Sequence, residues 1–435
     1  RGTVSLASLS DDSNPSTELR LAPMLSSYMV LQREPYSARL WGWATPGNNI
    51  SIAWNGNDTT LGFGIVEDDG TWSISLPPQP AGAGHDIQVT DGITTLILED
   101  IAFGDVYLCA GQSNMEFTVG AALDSAQVMA DSIPYSNLRL ATVQKSLADQ
   151  PMDSVGSKTP AYIWAKSSPM ALNQSSADGG KWGVYSATCY YFGLELYKGL
   201  NNQVPIGLVT ASWGGQRIET FSSTRALDDD TCGGLNPASL VPFQEQFQQG
   251  KEDENPSGHM FAVFPQDTQI WNAMIHPLVP MRFAGVVWYQ GEANVHTPSS
   301  YACRFPAMIA DWRRYWGDDL TFVYVEVAAL ANSDPRSKEF PWLRAAQSIA
   351  QQLPNVGKVT AIDLGDPDSP HGPIHSRRKH EVGRRAALAM RALKYKDPRA
   401  VLSYTGPIFA GVELQINPAH TMARLSFQPG TARGL

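Results

Sequence analysis

The chain has no apolar run approaching the ~20 residues needed to span a bilayer, no Cys-x-x-Cys spacing, no internal repeat and no low-complexity tract. Each absence removes a class of protein. There is no membrane span to place, a zinc site built on paired cysteines has nothing to build on, and an array of repeats is excluded. Positive charge is also scarce: 32 Lys and Arg against 42 Asp and Glu leave a formal net charge of −10, and the one basic cluster is Arg377-Arg378-Lys379. Nucleic acid is therefore not an expected partner. Charged residues make up only 17% of the 435 residues and hydrophobic ones 43%. That balance excludes disorder of the whole and supplies enough core for two domains, or for one large domain with an appendage.

The chain opens on Arg1 with no apolar targeting segment, which reads as a mature or trimmed form. It contains four cysteines. Cys109 and Cys189 sit in apolar runs and read as core residues, whereas Cys232 and Cys303 lie near element ends and are candidates for a disulfide. Three triplets, at Asn49, Asn57 and Asn173, match the acceptor pattern for glycosylation. Together these features favour a secretory compartment.

The pattern along the chain changes twice. Residues 1–18 are rich in Ser, Asp and Asn and read as a mobile tail. From 19 to 100, short alternating runs such as Ala38 to Trp43, Ile50 to Trp54 and Trp72 to Leu76 lie between turn signals, as in a small β-sandwich. From 101 to 398, apolar runs of strand length alternate with stretches of helical period. The expected strands are Val106 to Ala110, Ile206 to Thr210, Ala284 to Trp288, Thr321 to Val327 and Val359 to Ile362. The expected helices are Ser186 to Gly199, Ser300 to Trp316, Trp342 to Gln352 and Arg378 to Lys394. Strands that are apolar on both faces and alternate with helices imply an α/β fold with a parallel sheet. Residues 399–435 return to strand pattern and are expected to form a β-rich C-terminal segment, its completeness left open.

An open parallel sheet binds ligands outside the carboxyl ends of its strands. At those ends this sequence puts Gly111-Gln112-Ser113-Asn114, Trp213-Gly214-Gly215-Gln216, Tyr289-Gln290-Gly291-Glu292, and Asp363 to Asp368 followed by His371 and His375. Taken singly, Ser113 reads as a helix N-cap and Gly214-Gly215 as a tight turn. Taken together they are the parts of a serine esterase. Ser113 is the nucleophile and His375 the base that accepts its proton. The amides of Ser113 and Gly215 and the side-chain amide of Gln290 are the oxyanion donors. Asp368, Asp366 and the more remote Glu292 are all open as the acid that orients the imidazole.

In these four ordered stretches, "GQSNM" from 111, "GLVTASWGGQRIE" from 207, "VVWYQGEAN" from 286 and "AIDLGDPDSPHGPIHSRRKHEVGRRAALA" from 361, the sequence resembles the sialate O-acetylesterases, a branch of the SGNH-type hydrolases. "YMVLQREP" and "LWGWATPG" are similar to the leading β domain of that family, so the resemblance runs from about residue 20 to 400. It implies a flavodoxin-like SGNH hydrolase domain, and a secreted or lysosomal enzyme that removes acetyl groups from sialic acids without a metal or organic cofactor. Within it, Ser113 carries over as nucleophile, His375 as base, and Gly215 and Gln290 as oxyanion donors. The spaced loop before His375 favours Asp368 as the acid. Gln112 stands where the wider superfamily has Asp. Arg217 is a candidate for the sialate carboxylate, with Glu292 as a second substrate contact. Acetylated xylan or another acetylated polysaccharide is the alternative substrate, and a catalytically silent carbohydrate-binding protein the alternative of another class. Oligomeric state is left open.

Overall fold

The computed structural model describes residues 18–56, 59–155, 164–173, 185–235, 265–330, 334–401, 404–416, 421–429 and 431. The expected tail up to residue 17 and the acceptor Asn57 lie outside them.

The first strands are β1 (Arg20–Leu21), β2 (Val30–Gln32), β3 (Arg39–Trp43), β4 (Asn49–Trp54), β5 (Thr60–Ile65), β6 (Thr71–Ser75) and β7 (Gly82–Thr90). Strands β1, β3 and β6 form a small antiparallel sheet. In β6 the period of two is visible in burial: Trp72 and Ile74 point into the core while Ser73 and Ser75 are exposed. Strands β4, β5 and β7 join a second sheet through β8 (Thr95–Gly111), which runs for 17 residues.

The N-terminal half of β8 pairs antiparallel with β7, and its C-terminal half pairs parallel with β11 (Ile206–Ser212) and β12 (Gly285–Tyr289). The boundary expected between residues 100 and 101 therefore falls inside one continuous strand. Burial does change there, from an alternating pattern to eleven consecutive buried residues from Ile101 to Gly111. The sequence registers that change of environment, while the hydrogen-bond ladder continues through it. The result is a mixed α/β protein built on an 11-stranded mixed sheet.

Around β8 the sheet order is β10 (Ala165–Lys166), β9 (Leu138–Thr142), β11, β8, β12, β13 (Thr321–Glu326) and β14 (Val356–Thr360). All of these pairings are parallel except that of β10 with β9. The five expected strands are present, the fifth running over Val356–Thr360 instead of the expected Val359 to Ile362. Strand β9 was not expected, because Arg139 interrupts its apolar run. That arginine is nevertheless buried, with its charge neutralised by Asp100 at 2.8 Å. Beyond the sheet, β15 (Phe409–Ile416) and β16 (Thr421–Phe427) form an antiparallel pair.

The helices that matter here are α1 (Ser113–Glu116), α2 (Ala187–Gly199), α3 (Pro298–Trp316), α4 (Phe340–Ile349) and α5 (Lys379–Leu393). Because β8 is buried on both faces, its side chains divide between two cores. Tyr107 and Cys109 join Phe192 of α2 and Met390 of α5, whereas Leu108 and Ala110 join Phe305 and Trp312 of α3 and Leu343 of α4. Among the described residues no helix is long and apolar enough to cross a membrane.

The cysteine reading needs one correction. Cys232 and Cys303 form a disulfide, but so do Cys109 and Cys189, with Cα atoms 5.8 Å apart. An apolar setting is where a core cysteine and a buried bridge look alike in sequence. Here β8 and the first turn of α2 lie within bridging distance.

Strand β8 ends where it does because of close backbone approach. At Gly111, φ is +142°, and a Cβ there would overlap the carbonyl oxygen of Tyr289 on the paired strand. Gly111→Ala is expected to lower stability by about 2 kcal/mol or more, measured by urea unfolding. Gly120→Ala, where nothing lies within 4 Å of the added methyl, is the control and should stay within about 0.5 kcal/mol.

Candidate active site

After β8 the chain goes to β9 and β11 on one side of it, then crosses to β12, β13 and β14 on the other. A crevice opens at such a switch point, outside the carboxyl end of the central strand. Gln112 is extended, with φ −102° and ψ −151°, and Ser113 is the first residue of α1. Ser113 is 8% exposed. At the start of a helix its amide has no intrahelical acceptor.

Three side chains flanking Ser113 each hold a different loop of the rim. Gln112 Oε1 accepts from the amides of Gly291 and Ala293 at 3.3 and 3.1 Å. Asn114 Nδ2 donates to Glu292 Oε1 at 2.6 Å and to the carbonyl of Ile374 at 3.1 Å. Glu116 Oε2 accepts from the amide of Gly214 at 2.5 Å, and its Oε1 from Lys145 at 2.6 Å. The glycine at 214 suits that proximity, since a Cβ there would stand 3.2 Å from Ser113 Cβ and 3.0 Å from Glu116 Oε2, and its neighbours would have to give by a few tenths of an ångström. Residues 112, 114 and 116 thus draw the loops after β12, before α5 and after β11 onto the turn that carries Ser113.

The loop carrying His375 is fixed at several points. Ile374 is bonded to Asn114, the ring of His371 packs edge-on against Phe117 with centroids 5.2 Å apart, and the carbonyl of Arg377 accepts from the amide of Leu123 at 3.1 Å. Asp366 grips Arg377 bidentately at 2.6 and 3.0 Å, and that guanidinium holds its carboxyl below the usual carboxylate range. Asp366 is thereby engaged as a loop anchor.

The Nδ1 atom of His375 lies 2.9 Å from the carbonyl oxygen of His371. A carbonyl oxygen only accepts, so in the neutral ring Nδ1 carries the hydrogen and Nε2 is left with the lone pair a general base needs. Asp368, expected as the orienting acid, is exposed. The contact observed at Nδ1 is a backbone one, made possible by the turn from Ser369 to Gly372 that folds the His371 carbonyl back toward the ring. Ser113 and His375 stand on one rim, drawn together by the Asn114 bond to Ile374.

Other expected residues are placed differently from one another. Gly215 is exposed with φ +75°, and its amide has no partner among the described residues. Gln290 is fully buried, and its two amide hydrogens are taken by the Gln216 carbonyl at 3.2 Å and Asn294 Oδ1 at 2.8 Å. An oxyanion donor from Gln290 would have to leave one of those bonds. Arg217 is half exposed and paired with Asp267 at 3.0 Å.

Glu292, expected as a substrate contact, is 5% exposed and bonded inward to Asn114. Burial pushes its carboxyl up, which suits a group inside the scaffold better than one meeting a ligand. Among the described residues no three His, Cys, Asp or Glu side chains gather in a way that could hold a metal.

Sequence reasoning missed Glu116 and Lys379. Glu116 stands in the same short stretch as Ser113, and its spacing of two from Asn114 was the available signal. Lys379 was hidden in a basic run that reads as a solvated face.

The Asp366 anchor has a pH signature. A carboxyl whose folded value is lowered contributes stability above the ordinary ~3.9 and loses it as pH falls through the lowered value. The difference in melting temperature between the native protein and Asp366→Asn should therefore be constant from neutral pH down to about 4, then shrink below it. A gap that closed already between pH 7 and 5 would contradict this.

Residues 256–392 match the family model described as carbohydrate esterase, sialic acid-specific acetylesterase. The sialate O-acetylesterase of Mus musculus is 33% identical over 427 residues, covering 91% of this chain and 76% of the mouse protein. That of Homo sapiens is 32% identical over 425 residues, covering 93% and 76%. Among solved structures, a carbohydrate acetylesterase from Xanthomonas citri superposes with a TM-score of 0.74 at 29% identity, over 94% of this chain and 82% of that one. The chain belongs to the sialate O-acetylesterase family.

Proposed function

We propose that this chain hydrolyses O-acetyl esters of sialic acids through an acetyl-enzyme on Ser113, with His375 as general base. The observation that carries the reading is the bond from Asn114 to the Ile374 carbonyl, which ties the residue after the nucleophile to the residue before the base.

In the first half-reaction Ser113 Oγ bonds to the acetyl carbonyl carbon while its proton passes to His375 Nε2. The oxyanion meets the amides of Ser113 and Gly215, and the loss of one such donor typically costs ~10²-fold or more in turnover. The C–O bond to the sugar then breaks, and the imidazolium gives its proton to the leaving hydroxyl. In the second half His375 Nε2 takes a proton from a water molecule whose oxygen bonds to the acetyl carbon, then returns that proton to Ser113 Oγ as the acyl C–O bond breaks and acetate leaves. A catalytic hydrogen bond that tightens only when substrate is bound is ordinary for such sites. The His371 carbonyl orients the ring in this scheme, and Asp368 is the competing orienter.

Several finer features belong to the same reading. The chain acts in a secretory or lysosomal compartment, supported by two disulfides and by the exposed acceptors Asn49 and Asn173. Its first strands act as a leading β-sandwich to a flavodoxin-like esterase domain. Arg217 is the contact for the sialate carboxylate, exchanging Asp267 for the ligand. Acetylated polysaccharide is the second substrate class, within the carbohydrate acetylesterase activity named for the Xanthomonas citri protein.

The test is kcat/KM on 9-O-acetyl sialic acid against acetylated xylan, for the native protein and Ser113→Ala. The native protein should favour the sialate by about tenfold or more, and Ser113→Ala should lose about 10³-fold or more on both. A preference for xylan would replace the substrate, and an active Ser113→Ala would remove the mechanism. Asp368→Asn should keep kcat within about threefold, whereas loss of a triad acid typically costs ~10⁴-fold.

A further inference from the structure

Lys379, the first residue of α5, is completely buried, and no step of the chemistry above uses it. Its ammonium donates to Asn114 Oδ1 at 2.5 Å and lies over the rings of Phe117 and Tyr289, at 4.8 and 5.4 Å from their centroids. Burial pushes its titration down to about 7, against the opposing pull of Glu292 and Asp366. Removing an ammonium from water costs several kcal/mol, and a Met or Leu would fill the space without that cost. The position thus calls for something that only a donor can do.

Asn114 supplies it. An amide side chain has almost the same shape with its oxygen and nitrogen exchanged, so packing does not orient it and its partners must. Here the partners are of opposite kinds on the two sides. Oδ1 receives the Lys379 donor, while Nδ2 faces two acceptors, Glu292 Oε1 and the Ile374 carbonyl. Turned over, the amide would set its oxygen against both acceptors and its nitrogen against a cation, and the tie to Ile374 would be broken.

We propose that Lys379 is a positioning residue for the esterase reaction: by donating to Asn114 Oδ1 it locks the amide so that Nδ2 holds Ile374, and with it His375, over Ser113. Lys379 touches neither substrate nor reacting atoms and acts through Asn114 alone. Glu292 is the counterpart on the nitrogen side, which accounts for a carboxyl buried beneath an esterase rim without meeting the ligand. The inference rests on Ser113 and His375 carrying the reaction.

The experiment compares Lys379→Met, which keeps bulk and loses the donor, with Lys379→Gln, which keeps an N–H donor without charge. Both are assayed for kcat and KM on an acetyl ester, with melting temperature as the check of folding. A displacement of about 1 Å between base and nucleophile costs on the order of 10²-fold. Lys379→Met should therefore lose about that much in kcat with KM within about threefold, and Lys379→Gln should recover most of the loss. Unchanged kcat in folded Lys379→Met, or equal losses in both variants, would overturn the proposal.

If Lys379→Met does not fold, Asn114→Asp serves instead, since its second carboxylate oxygen would face the Ile374 carbonyl. Its kcat should fall with KM retained, and native kcat would overturn the proposal. An active Ser113→Ala would remove the underlying reading. An inert Ser113→Ala beside an unimpaired Lys379→Met would remove only this inference.

Discussion

At Gly111 the backbone of β8 comes so close to Tyr289 that no Cβ fits, and the amide of Gln112 closes onto the Tyr289 carbonyl at 3.0 Å. That contact decides where the central strand leaves the sheet, at the switch point between the two halves of the parallel order. From it follow the turn, the Ser113 amide left without an intrahelical acceptor, and the directions taken by Gln112, Asn114 and Glu116. The rim is assembled from those three side chains outward, so a small shift at Gly111 would be passed to every loop that carries chemistry.

What keeps the loops in place is the satisfaction of buried polar groups. An unpaired buried donor or acceptor costs about 1–3 kcal/mol, so a loop that moved away from Gln112 or Asn114 would carry that cost. Gln347 extends the same logic below the rim, donating to the carbonyls of Gln290 and Val325 and accepting from the amide of Val327. Two acceptors in this layer, Gln290 Oε1 and Glu292 Oε2, have no partner among the described residues. The raised titration of the Glu292 carboxyl comes from the same burial, which penalises its charged form.

Much of this was legible in the sequence, and the limits have physical reasons. Strands buried on both faces announce themselves as uniform apolar runs, which is why β8, β11, β12, β13 and β14 were expected near their observed places. The four motif stretches were correctly assigned to strand ends, because small residues at the end of an apolar run signal close backbone approach. Strand β9 escaped because a buried arginine looks like a surface one until its carboxylate is known. The Cys109 bridge escaped for the same reason, that its partner lies 80 residues away. The His371 carbonyl beside His375 Nδ1 could not be read at all, because a backbone group leaves no trace in residue identity. Glu292 shows the converse, a charged residue in a motif that the fold buries and bonds to Asn114.

The central claim is that the acetyl group passes through Ser113. Rapid quenching of the protein during turnover of 9-O-acetyl sialic acid, followed by mass analysis of the peptide containing Gly111-Gln112-Ser113-Asn114, tests it directly. The account predicts an acetyl group on Ser113 that appears during turnover and disappears when substrate is exhausted. Turnover at the native rate with the acetyl group found on another residue would contradict it.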